Sequence, residues 1–146
     1  MELQITAVNN GTVIDHIPSE KTMKIVDLLG LTASNDRVTV AFNIDSKRNG
    51  KKGIIKIADR TLSSSELKKI AILAEEATVN IIENYKVVEK KYTTLPEILV
   101  DIIECPNSKC ISSIEPIKTK FEVEEHDKLR CFYCERTIDK KEAIIK

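Results

Sequence analysis

Residues 3–8 (Leu3-Gln4-Ile5-Thr6-Ala7-Val8) largely alternate apolar and polar side chains, the pattern of a strand with one buried face. The turn formers Asn9-Asn10-Gly11 end it, and a β-rich stretch over residues 12–17 runs up to Pro18. Ser19 predicts the N-cap of a helix carrying Met23, Val26, Leu28 and Leu29, with Gly30 as its stop. Residues 37–43 read as a strand, the charged and Gly-containing run 45–53 as a loop, and residues 54–58 as a further strand. Ser63 and Glu66 are spaced as a capping box before a helix that presents Leu67, Ile70, Ala71 and Leu73. Residues 78–82 and 86–88 predict strands around a turn at Asn84. The order is strand, helix, strand, strand, helix, strand, with a short extra strand at one end. This is the split βαβ pattern of a ferredoxin-like domain. Such a sheet covers one face with two helices and leaves the other for a ligand or partner, and the fold alone assigns no function.

The pattern changes after Tyr92-Thr93-Thr94-Leu95-Pro96, a polar and then proline-punctuated stretch that predicts a linker. It separates residues 1–96, which hold no cysteine, from residues 97–146, which hold all four. The expected fold class is therefore α+β: a ferredoxin-like first domain and a small, zinc-ribbon-like, all-β second domain. In the second domain Cys105 and Cys110 form one close pair, and Cys131 and Cys134, twenty residues on, form another. Two tight turns that each offer two sulfurs suit a tetrahedral four-thiolate metal site. Zinc fits such a donor set best, and the spacing also accommodates iron. Four protein sulfurs leave no open position, so the metal is expected to be structural. About fifty residues with Phe121, Phe132, Tyr133 and a few aliphatics bury only a small core, which metal binding would supplement. Lys109, Lys128, Arg130 and Arg136 are near enough in sequence to offset the thiolate charge.

Composition narrows the function. Charged residues are 32% of the 146 positions and the hydrophobic set 42%, as in a folded soluble chain. The 23 Lys and Arg balance 23 Asp and Glu, against the basic excess of a nucleic-acid binder. Glu122, Glu124, Glu125 and Asp127 between the cysteine pairs favour a protein partner there. No apolar run has membrane-spanning length and no export signal is evident, so the expected setting is the cytoplasm, where disulfides are disfavoured.

In the first domain Asp15-His16 closes an early strand, Lys56 alternates with Ile55 and Ile57, Thr78 and Asn80 share a strand face, and Lys90 and Lys91 follow the last strand. If the strands pair as the fold proposes, these groups gather cations and polar atoms suited to an anionic ligand. No Walker motif or Gly-rich fingerprint is present. An acid–base role for Asp15-His16 would need a second catalytic group, and none is evident. A zinc-ribbon adaptor or nucleic-acid-binding protein is the alternative class.

Three segments carry a resemblance over nearly the whole chain. They are GTVIDHIP (residues 11–18); the strand around Lys56 with Ala77-Thr78-Val79-Asn80 and Asn84-Tyr85; and Cys105-Pro106-Asn107-Ser108 through Cys110-Ile111-Ser112. With these the chain resembles the regulatory chains of aspartate carbamoyltransferase. The resemblance implies a non-catalytic subunit of pyrimidine biosynthesis. Residues 1–96 would be a nucleotide-binding allosteric domain, taking CTP and ATP at one site and pairing in a homodimer. Residues 97–146 would hold one structural zinc ion per chain on Cys105, Cys110, Cys131 and Cys134 and would contact the catalytic chain. Neither nucleic acid nor membrane is implied as a partner. In the family, two catalytic trimers are bridged by three regulatory dimers. Carried over, the nucleotide site implies backbone carbonyls of Val8 and Tyr85 at the base amino group, Lys56 at base and ribose, Asp15 at the ribose, and His16 and Lys90 at the phosphates. Val13, Ile54, Ile82 and Val87 would wall the pocket, with Asn80 beside it. A base with a carbonyl in place of the amino group, as in uracil, should be rejected. Asn107 and Glu135 are the implied contacts to the catalytic chain. The sequence departs from the family at Glu2, where a lysine is expected, at Tyr92, where an arginine is expected, and at Lys109, where an asparagine is expected.

Overall fold

Strand alternation sorts the first half of the chain into two faces. Thr12, Ile14, Ile55, Ile57 and Val79 are fully buried, whereas their neighbours Val13, Ile54, Lys56 and Asn80 are only partly covered. The computed structural model describes residues 9–47 and 50–146. The predicted strand over residues 3–8, with Glu2 and Val8, lies outside the described residues. The chain divides into two compact units between Thr93 and Thr94. Among the described residues no helix is long and apolar enough to cross a membrane.

The first unit contains β1 (Gly11–Pro18), α1 (Thr22–Leu28), β2 (Val38–Ser46), β3 (Gly50–Ala58), α2 (Ser64–Leu73), β4 (Thr78–Glu83) and β5 (Lys86–Tyr92). The sheet order is β2-β3-β1-β4-β5, with every neighbouring pair antiparallel. The first four strands have the ferredoxin-like order, and β5 extends one edge as a hairpin. One apolar cluster joins Ile14 and Ile17 of β1, Ile55 and Ile57 of β3 and Val79 of β4 to Ile25, Val26 and Ile70 of the helices. Both helices therefore cover one face, and the opposite face carries the polar alternates.

Local signals account for the helix ends. The Ser63 hydroxyl accepts from the Glu66 N–H at 3.1 Å and the Glu66 carboxylate accepts from the Ser63 N–H at 2.9 Å, so the predicted capping box is present. Gly30 takes φ +64° after α1; its N–H reaches the Asp27 carbonyl and the Leu31 N–H reaches that of Val26, a Schellman stop. Ser19 does not cap α1. It opens a 3-10 turn (Ser19–Lys21), and its hydroxyl donates to Asn43 Oδ1 and accepts from the Asn43 N–H. Met23, predicted on the buried side, is 48% exposed, while Thr22, Ile25 and Val26 are buried.

Two other expectations change. The predicted loop 45–53 is largely the continuation of β2 and β3, pairing Ile44 with Lys52, Asp45 with Lys51 and Ser46 with Gly50. The predicted linker begins later: Tyr92 ends β5, and Thr93 is buried with its hydroxyl donating to the carbonyls of Ala74 and Ala77.

The second unit contains β6 (Ile98–Val100), β7 (Ile103–Glu104), α3 (Ile111–Ile114), β8 (Lys120–Glu124), β9 (Lys128–Cys131), β10 (Thr137–Asp139) and β11 (Ile144–Ile145). A four-stranded sheet has the order β10-β9-β8-β6, and β11 pairs with β7. Its interior holds Leu99, Ile102, Ile103, Phe121, Leu129 and Ile138. Phe132 and Tyr133 are not in that core: they are 49% and 39% exposed and meet edge to face. The cysteine pairs sit on two turns at one end of β9 and before α3.

Candidate functional site

Two bulges shape the open face of the first sheet. In β1 the register with β3 slips between Ile14 and Ile17, and His16 takes φ +58°. Ile14 and Ile17 lie three positions apart and would face opposite sides of a regular strand; the bulge lets both enter the core. It also brings Asp15 and His16 to the other side together. In β5 the register with β4 slips so that Ile81 faces Glu89 and Ile82 faces Val87, leaving Val88 as the extra residue. Val87 and Lys90, also three apart, thereby reach the same face.

The result is a cleft of about 460 Å³ lined by Val13, Asp15, His16, Ile54, Lys56, Thr78, Asn80, Ile82, Tyr85, Val87 and Lys90. All eleven were singled out from the sequence, ten as the implied nucleotide site and Thr78 as the residue sharing the strand face of Asn80, and Val8 is outside the described residues. Thr78 hydrogen-bonds His16 Nδ1 at 3.3 Å. One rung runs across four strands, Lys56 opposite Val13, Val13 opposite Asn80 and Asn80 opposite Lys90. The two lysines thus start three strand spacings apart, about 14 Å. The Asn80 amide donates to the Val13 carbonyl at 3.4 Å. The next rung places Asp15 opposite Thr78 and Thr78 opposite Tyr92. Asn84 and Tyr85, both at positive φ, form the tight two-residue turn of the β4–β5 hairpin and present Tyr85 at the cleft's edge.

Asp15 is fixed by a residue that the sequence reading missed. Lys52 Nζ lies 3.0 Å from Asp15 Oδ1, and the same oxygen accepts the His16 N–H at 2.6 Å. Burial raises the pKa of this carboxyl, but the Lys52 hydrogen bond, the His16 N–H and the Lys52 charge outweigh it and hold the group below its ordinary value. The missed signal was parity. Lys52, Ile54 and Lys56 alternate along β3, so a strand extended back through the predicted loop puts Lys52 on the face of Lys56.

In the second unit the four sulfurs of Cys105, Cys110, Cys131 and Cys134 lie within 4.8 Å of one another. The separations Cys105–Cys134 and Cys110–Cys131 are each 3.7 Å. A tetrahedral ion with metal–sulfur bonds of about 2.3 Å needs sulfurs about 3.8 Å apart, so the donor set fits a bound metal without rebuilding the turns. Each turn is braced by its own backbone. The Cys110 N–H bonds the Asn107 carbonyl at 3.0 Å, the Lys109 N–H bonds Asn107 Oδ1 at 3.0 Å, and the Glu135 N–H bonds the Cys131 carbonyl at 2.9 Å, with Glu135 at φ +64°.

The electrostatics of this cluster come from backbone more than from side-chain cations. Burial pushes the Cys105 thiol up to about 12 against the pull of the Asn107 N–H, with the neighbouring sulfurs adding to the rise. Burial also raises Cys131, although the N–H groups of Cys134 and Tyr133 face it. Cys134 goes the other way, to about 7: burial opposes, but the Arg136 N–H, the Asn107 amide and the adjacent thiols prevail. Sulfurs this crowded resist sharing several negative charges, and a divalent cation reverses that by favouring every thiolate. Two of the four basic side chains predicted to offset the charge are engaged elsewhere: Lys128 pairs with Asp139, and Arg130 with Glu122 and Glu124. Asn107, expected at a partner surface, has its side chain turned into the cluster through Lys109 and Cys134. Ser112 adds a hydroxyl 3.1 Å from Cys110 Sγ.

Comparison with known proteins agrees with this two-part organisation. Residues 3–94 match the family model described as aspartate carbamoyltransferase regulatory chain, allosteric domain, and residues 97–144 the model for the metal binding domain of the same chain. A protein of Thermococcus gammatolerans named aspartate carbamoyltransferase regulatory chain is 46% identical over 146 residues, covering 98% of this chain and 97% of that relative. Proteins of the same name from Parabacteroides distasonis and Pyrococcus horikoshii are each 45% identical, covering 99% and 98% of this chain and 96% and 97% of their own lengths.

Proposed function

The chain belongs to the family of aspartate carbamoyltransferase regulatory chains, and we propose that its first unit binds CTP and ATP as competing effectors while its second, holding one zinc ion, docks on the catalytic chain. The chain is then a regulatory and not a catalytic subunit, working in the cytoplasm and pairing with a second copy of itself. The rung Lys56–Val13–Asn80–Lys90 is the observation that carries the effector half. It sets Val13 and the Asn80 amide between two cations, in a cleft also lined by Ile54, Ile82 and Val87, beside His16 and Thr78 at one end and the Tyr85 turn at the other. A nucleoside triphosphate has the matching polarity, with a flat base and ribose at one end and a strong anion at the other. Lys56 and Asp15 would meet base and ribose; His16 and Lys90 would meet the phosphates. Tyr85 and Val8 would offer carbonyls to the amino group that cytosine and adenine share. Lys52 would keep Asp15 ionised and oriented.

For the metal, four thiolates at zinc-compatible separations, supported by N–H groups, favour a closed structural site. Zinc there would shape the two turns and organise the surface that grips the catalytic chain. An effector changes catalysis only by binding unequally to two states of the assembly, and couplings of about 1–3 kcal/mol are usual.

Calorimetric titration of the zinc-loaded chain with CTP, ATP and UTP tests the effector half. CTP and ATP should compete, and UTP should bind more weakly at this site. Absence of saturable CTP or ATP binding at millimolar concentration refutes it. Mixing the chain with a catalytic trimer and measuring mass by sedimentation tests docking. Intact docking after verified metal removal refutes the role given to zinc.

A further inference from the structure

The face of β5 that meets the cleft does not end at Lys90. Residues 90 and 92 alternate onto one side of an edge strand whose residues are all exposed. Tyr92 stands opposite Thr78, which in turn stands opposite Asp15, so it borders the rung next to the one that carries Lys90. The Lys90 ammonium lies over the Tyr92 ring, 5.7 Å from its centroid.

The cations nearby are held differently. Lys52 is paired with Asp15, and Lys91, on the other side of β5, lies 3.9 Å from Glu89. Among the described residues no carboxylate pairs with Lys90. A carboxylate would hold an ammonium by cancelling its charge. An aromatic face holds it through the ring quadrupole and leaves the full charge for an arriving anion. An exposed lysine also loses rotamer freedom when it engages a ligand, and a partner that has already narrowed its rotamers lowers that cost.

We propose that Tyr92 is a positioning residue for the anionic end of the ligand: its ring holds Lys90 at the rim of the cleft while leaving the lysine's charge unspent. The proposal rests on the nucleotide reading of the cleft. It gives a purpose to a position where the family resemblance leads one to expect an arginine. An arginine would add a charge there; the tyrosine instead steers one already present.

The test is equilibrium binding of CTP and of cytidine to the zinc-loaded full chain, comparing wild type with Tyr92→Phe, Tyr92→Ala, Tyr92→Glu, Lys90→Ala and the Lys90→Ala/Tyr92→Ala pair. Tyr92 is 65% exposed, so these variants should keep the wild-type thermal midpoint, which is measured alongside. Tyr92→Phe should bind CTP within about two-fold of wild type. Tyr92→Ala should weaken CTP by about 2–5-fold and leave cytidine unchanged. Tyr92→Glu should weaken CTP further, because the new carboxylate neutralises Lys90. On the Lys90→Ala background, Tyr92→Ala should add nothing. Equal losses for CTP and cytidine, no loss with Tyr92→Ala, or a loss that persists without Lys90 each overturn the inference alone. Failure of the wild-type chain to bind CTP at all overturns the nucleotide reading and the inference with it.

Discussion

Stripping the metal should unfold the second unit and leave the first standing. The second unit buries six large apolar side chains: Leu99, Ile102, Ile103, Phe121, Leu129 and Ile138. At about 1.5–3 kcal/mol each, they contribute roughly 9–18 kcal/mol of transfer free energy. A structural zinc in a small module supplies an apparent contribution on the order of 10–16 kcal/mol. Removing the ion therefore takes away as much as the whole apolar interior provides, and marginal domains do not survive such a loss. Among the described residues of the first unit no group of metal-ligating side chains comes together, and its thirteen-residue apolar cluster includes no cysteine. Hydrogen exchange followed by mass spectrometry resolves the two. After chelation, peptides over β8 and β9 should lose protection, while peptides over β1 and β3 keep theirs. Returning zinc should restore the loss, and Cys105→Ser should reproduce it without a chelator. Persistent protection in β8 and β9, with the metal shown absent by intact mass, would refute a structural role for the ion.

Three further outcomes are expected. A Cβ on Gly53 would sit 1.9 Å from Thr22 Oγ1, and Thr22 is fully buried and β-branched, so Gly53→Ala should cost the first unit about 1–3 kcal/mol and lower its thermal midpoint by several degrees; adding Thr22→Ala should recover part of this, and additive losses in the double variant would contradict the contact. Asp15 ionises more readily folded than unfolded, so its contribution is present above its ordinary value of 3.8 and is lost as pH falls through the lower folded value. Asp15→Asn should therefore flatten the acid limb of the first unit's stability curve, so that its thermal midpoint lies below wild type near neutral pH and the gap closes as the pH falls; a gap that stays the same across that pH range would contradict it. Lys56→Ala should weaken CTP and cytidine alike by about ten-fold or more, the worth of a charge-assisted hydrogen bond, whereas a loss confined to CTP would place Lys56 at the phosphates.

How much of this was legible in the sequence differed by feature. The Ser63–Glu66 box and the Gly30 stop were readable because each depends on atoms within five positions of one another. The two cysteine pairs were readable for the same reason, since each turn is built by its own backbone. Ser19 misled because its hydroxyl met the Asn43 bulge of β2 in place of the helix N–H groups beside it. Lys52 was missed because a charged, Gly-containing run looks like a loop until a partner strand pairs with it.

The chain on its own determined which chemistries are present: two lysines, an Asp-His pair and four thiols, distributed over strands and turns whose local propensities are plain. Only the paired sheet decided that these lysines share one rung, and that Asp15, His16, Val87 and Lys90 all meet one cleft. The reason lies in the register. A strand by itself has a period of two; the bulge that breaks it at His16 exists only in relation to β3, far along the chain, and the one at Val88 only in the register β5 takes against β4.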